Sequence, residues 1–102
     1  MQELIKDKSI VDLIEKLKLQ TDFEKVEISD NWDALLCSIA ITRGIRMVYI
    51  DSWNFSEGKI DGYDYDLEIL DEEQPDNLNV IKEGRNVTEK ELIAVVKVFL
   101  DI

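Results

Sequence analysis

The chain has 102 residues, with 23 acidic against 12 basic side chains, no histidine, and a formal charge of −11. Its apolar fraction of 45% suits one packed domain over residues 1–102, since a chain of this size buries roughly two thirds of its unfolded surface without metal or disulfide help. Lack of histidine excludes Ser-His and Cys-His catalysis and histidine-ligated metals, and the single cysteine, Cys37, excludes an intrachain disulfide and reads as a buried thiol.

The first seven residues lack a basic stretch followed by an apolar run, and no later stretch is apolar enough to span a bilayer, so a cytoplasmic protein without membrane contact is expected. Ile10, Leu13, Ile14 and Leu17 fall at i, i+3, i+4 and i+7, which predicts a helix over 9–19 with Ser9 and Asp12 as its capping pair. Residues 23–28 alternate as a short strand, and 45–50 read as a firm one. Between them, Trp32, Leu35, Leu36, Ile39 and Ala40 form a helical stripe closed by Gly44, so a helix over 31–43 is the preferred reading. The alternative is a buried strand through Leu35, Cys37, Ile39 and Ile41 that turns at Arg43-Gly44. Phe23, Trp32, Tyr49 and Phe99 are assigned to the core.

A turn at 56–59 leads to a strand over 63–69, and 78–81 forms another short strand before Gly84. Thr88-Glu89-Lys90-Glu91 has the form of a capping box, followed by Leu92, Ile93, Val95, Val96, Val98 and Phe99. A C-terminal helix is expected, with a Val-rich strand over 93–99 as its alternative. The fold class is α+β: a small, mostly antiparallel sheet of about four strands flanked by N- and C-terminal helices, with a third helix at 31–43.

The charge is concentrated in one block. Residues 51–80 hold ten acids against one base, whereas the twenty-two residues that follow hold four of each. Within it, Asp61, Asp64, Asp66, Glu68, Asp71, Glu72, Glu73 and Asp76 have no basic neighbour in sequence over 61–76. Tyr63, Tyr65, Leu67 and Ile69 recur at every second position, so the block is a strand with an apolar face and a carboxylate face. Same-face acids on a strand lie ~7 Å apart and repel by about 0.6 kcal/mol in bulk water, several times that near a protein surface. Selection for stability alone does not assemble such a ladder. Trp53 and Phe55, beside the block, are candidate aromatic anchors of an interface.

Other chemistries fail on inspection. Asp61 and Glu72 stand at positions one and twelve of an EF-hand frame, but Tyr63, Tyr65 and Asp66 occupy the interior positions that need oxygen ligands and glycine. The four glycines are scattered, without a phosphate-binding loop, and the triplets Asn54-Phe55-Ser56 and Asn86-Val87-Thr88 are chance glycosylation patterns. Neither an enzyme, nor a metal or cofactor site, nor direct nucleic-acid binding is expected. The expected function is an acidic inhibitory binding protein, in the manner of an immunity protein or antitoxin. Its partner is a basic protein, a nuclease toxin above all, whose active site is covered by the carboxylate surface. The expected partner-binding set is Asp61, Tyr63, Asp64, Asp66, Glu68, Asp71, Glu72, Glu73, Asp76, Trp53 and Phe55, presented by a monomer rather than a dimer. Two alternatives stand beside it. One is a phage nucleic-acid mimic acting on a defence complex, which needs acids such as Asp51, Glu57 and Glu83 from neighbouring segments. The other is a secretion chaperone or structural subunit that dimerises through an apolar helix.

Overall fold

The stripe of Ile10, Leu13, Ile14 and Leu17 forms helix α1 (Lys8–Gln20), and all four side chains are fully buried, each worth about 1.5–3 kcal/mol of transfer free energy. The computed structural model describes residues 8–29, 37–52, 62–70, 73 and 78–102. After a 3-10 turn at Phe23–Lys25, the chain runs through β1 (Glu27–Ser29), β2 (Ser38–Arg43), β3 (Arg46–Asp51), β4 (Tyr63–Leu70) and β5 (Leu78–Val87), and ends in helix α2 (Glu89–Leu100). The strands form one antiparallel sheet in the order β1-β2-β3-β4-β5. This is the expected α+β fold, with five strands rather than four.

Register explains where the core lies. Ile39 pairs with Ile50 and Ile41 with Val48 across β2 and β3, and these continue to Tyr65 and Leu67 on β4. That apolar face packs against Leu92, Ile93, Val96 and Leu100 of α2 and against the α1 stripe. Both helices therefore lie on one face of the sheet, while the acids line the other, where Ser38, Ala40, Met47 and Glu68 are buried as well. The helices are joined by Lys16 Nζ, which donates to Glu89 Oε1 at 2.5 Å. Among the described residues no helix is long and apolar enough to cross a membrane.

Several sequence expectations are corrected. Residues 38–43 are strand, not helix, because Ile39 and Ile41 are needed on the core face while Ser38 and Ala40 are buried on the opposite one. Burial on both faces removed the alternation that would have marked a strand. The remainder of the expected helix, 31–36 with Trp32, lies outside the described residues. The tight β2–β3 hairpin puts Gly44 first in its two-residue turn with φ 61°, the position where type II′ turns need a positive φ.

Ser9 does not cap α1. It sits inside the helix, 5% exposed, with its Oγ 2.7 Å from Ser52 Oγ. The strand expected over 23–28 is instead the 3-10 turn followed by β1. The strand expected over 78–81 runs on through Gly84 to Val87, because two bulges let it follow β4. Thr88 does cap α2, its Oγ1 accepting from Glu91 N at 3.1 Å, which is one half of the expected capping box, and 93–99 is helix.

Candidate functional site

The outer face of the sheet is built from the strand positions that alternate with the core. Cross-strand register aligns Glu27, Thr42, Met47 and Glu68 in one row, then Ala40, Tyr49, Asp66 and Glu83, then Ser38, Asp51 and Asp64. Six carboxylates from four strands thus share a face, and among the described residues only Arg85 brings positive charge to it. Two of the pairings place like charges directly opposite, Asp51 against Asp64 and Asp66 against Glu83. Side chains so placed have Cβ atoms about 4.5–5.5 Å apart, and like-charge pairs there are destabilising.

Each acid is held differently. Ser38 Oγ donates to Asp51 Oδ2 at 3.2 Å. The bulge in β5 sets Val87 opposite Tyr63 and Gly84 opposite Tyr65, so that three steps on β5 match two on β4. Asn86, at φ 52°, turns its N–H out of the ladder, and that N–H donates to Asp64 Oδ1 at 2.9 Å. Arg85, next to it in the bulge, donates from Nη1 to Asp66 Oδ1 at 3.2 Å and pairs with Glu83 through Nη2 at 3.6 Å. Desolvation opposes the guanidinium charge, but the hydrogen bond and field of Asp66, with Glu83 and Asp64 behind it, outweigh that and hold Arg85 above its ordinary range.

Between these groups lies a cleft of about 140 Å³ lined by Tyr49, Asp51, Asp64, Tyr65, Asp66 and Arg85. Three carboxylates and one guanidinium meet in it, so the cleft retains net negative charge. Among the described residues no group of three acidic or cysteine side chains is placed to hold a metal ion. What the arrangement offers chemically is reception of a cation.

The expected site residues divide into three groups. Asp64 and Asp66 stand together on the outer face, partly exposed as the alternation requires, and Glu73 is exposed. Glu68 and Tyr63 depart from expectation. Glu68 points to the acidic face but is only 9% exposed, and burial, then the Asp66 charge, push its carboxyl above the usual range. Tyr63 is a core residue, 2% exposed, and its hydroxyl donates to Ser9 O at 3.2 Å. It has no surface to offer a partner, as its odd position on the apolar side of β4 dictates. Asp61, Asp71, Glu72, Asp76, Trp53 and Phe55 lie outside the described residues.

Asp51, Glu83, Arg85 and Tyr49 complete the face; Asp51 and Glu83 enter the sequence reading only as acids that the nucleic-acid-mimic alternative needs, and Arg85 and Tyr49 lie outside its expected site. The core assignment of Tyr49 is corrected: Val48 and Ile50 take the core side of β3 and leave Tyr49 on the outer one. Alternation within 45–50 was the available signal. No family model, curated protein or solved structure matches the chain.

Proposed function

We propose that this chain is an inhibitory binding protein of the immunity or antitoxin kind, which neutralises a basic toxin, best matched by a nuclease, by covering its active site. The observation that carries the reading is the cross-strand register, which among the described residues brings Glu27, Asp51, Asp64, Asp66 and Glu83, with the largely buried Glu68, to one sheet face with two like-charge pairs opposed and Arg85 as the one cation there. Repulsion built into a rigid sheet is relieved when a cation arrives. A lysine or arginine side chain entering the cleft beside Tyr49 meets Asp51, Asp64 and Asp66 at once. A nuclease must present such cations to hold phosphate, and a fixed negative face both steers encounter and selects that groove over neutral surfaces. An interface of standard size takes ~800 Å² per partner, a modest part of the 6603 Å² that the chain exposes. The protein acts by occupancy, without catalysis, in the cytoplasm.

The test is affinity capture with the parent chain and with the triple variant Asp51→Asn, Asp64→Asn, Asp66→Asn side by side, followed by nuclease assay of the retained protein. The parent should retain a basic protein and suppress its activity, while the variant binds on the order of 100-fold more weakly. Equal retention by the variant would remove the acidic face from the mechanism. A nucleic-acid mimic is favoured by one further observation, that Asp51 and Glu83 flank the β4 acids on both sides and so raise the charge density of the ladder. That reading requires the captured protein to bind DNA and to release it on adding the chain.

A further inference from the structure

On the opposite side of the sheet, the helix layer stops short of β5. There a groove of about 370 Å³ is lined by Leu67, Lys82, Ala94, Val95, Val98 and Phe99, running between the last strand and the flank of α2. Val98 is 79% exposed on its rim. Spacing of three and four along α2 puts Glu91, Ala94, Val95 and Val98 on one stripe, so an acid stands at one end of the groove and Lys82 on its far wall.

From this groove we infer that the chain self-associates, a second copy packing its α2 antiparallel against the first, in the groove beside β5. Charge selects that occupant. Two copies each carrying −11 repel through the acidic face, whereas residues 81–102, which hold most of β5 and all of α2, carry four acids and four bases and so no net charge. The stripe is also self-complementary. A two-fold axis between antiparallel helices brings Val95 and Val98 of one copy onto those of the other across the small Ala94, and faces Lys82 of each copy with the Glu91 end of its mate. Among the described residues neither Lys82 nor Glu91 forms an ion pair within the chain. Helix α2 has 12 residues, hence roughly 18 Å of contact length. The inhibitor reading of the sequence expects a monomer, whereas this surface favours a dimer whose two acidic faces point outward.

Sedimentation equilibrium of the full chain tests the inference, alongside Val98→Lys and Ala94→Lys, both exposed helix positions whose fold is checked by circular dichroism. The parent should sediment as a dimer, each lysine should weaken association at least about tenfold, and added salt should strengthen the parent dimer by screening its net charge. The triple aspartate variant of the acidic face should dimerise at least as well as the parent, which separates this surface from the proposed toxin-binding one. A parent that stays monomeric at millimolar concentration, or a dimer indifferent to both lysines, overturns the proposal and leaves the groove to a different protein or to none.

Discussion

Glu68 is an acid on the acidic face that has been largely deprived of water. Met47 on β3 and Val80 on β5 are its cross-strand partners, and among the described residues none donates a hydrogen bond to it. Its carboxyl is raised by burial and by Asp66. A folded-state value above the unfolded one means that the fold prefers the protonated form. The ionised form therefore costs stability above the folded pKa, and that cost fades as pH falls through it. Glu68→Gln should accordingly stabilise the protein near neutral pH by about 1 kcal/mol, with the advantage shrinking in mildly acidic buffer. Urea denaturation at the two pH values measures it, and equal midpoints at neutral pH would mean that the carboxylate is adequately solvated. Tyr63 gives the complementary case. Tyr63→Phe removes the bond to Ser9 O and should cost about 1 kcal/mol, yet leave partner capture unchanged, because the ring is a core group.

At the scale of elements, β5 is the strand on which both surfaces depend. It faces β4 through two register shifts, and such bulges re-aim side chains and blunt an edge against further pairing. Arg85 and Asn86 reach the acids through one of them. Gly84 lies opposite Tyr65 in the ladder, where a Cβ would run into the tyrosine ring. Gly84→Ala should therefore lower stability by about 1–3 kcal/mol, the usual cost of overpacking, and should weaken capture through the acidic face by displacing Arg85. Thermal unfolding and binding measured on the same sample show whether the two losses travel together. The helix that follows β5 starts on the Thr88 cap, and Thr88→Ala should cost about 1 kcal/mol. At its other end Arg43 Nη1 donates to Leu100 O and Asp101 O, and Arg46 Nη1 to Phe99 O. There the two arginines of the β2–β3 hairpin offset the negative end of the helix dipole, which takes them away from the acidic face.

Across the whole molecule the charges are sorted by layer. Among the described residues, Lys16, Arg43 and Arg46 are engaged on the helix side, while Asp51, Asp64, Asp66 and Glu83 share the outer sheet face with Arg85 as its one cation. The fold therefore carries a standing repulsion that salt should screen. Raising ionic strength from about 0.02 M to about 0.5 M shortens the screening length from roughly 20 Å to about 4 Å. The melting temperature should rise by several degrees, since 1 kcal/mol corresponds to about 4–8 °C in a domain near this size. A melting temperature that falls with salt would show that the ion pairs of Arg85 and Lys16 outweigh the repulsion. The same titration should slow association with a basic partner, so stability and on-rate move in opposite directions.

The elements that could be read from residue order alone are those whose pattern is local: the four-residue stripe of α1, the Thr88 box of α2, and the two-residue alternation that separates Tyr65 and Leu67 from Asp64 and Asp66. Periodicity of that kind sets which way a side chain points, because it follows from backbone geometry. It does not say what lies across the sheet. Residues 38–43 hid their strand because both faces are buried, and the acidic face acquired Asp51 and Glu83 only through register with strands distant in sequence. Glu68 lost its water and Arg85 met Asp66 for the same reason: burial and pairing are set by neighbours brought together in space, and no run of residues encodes them by itself.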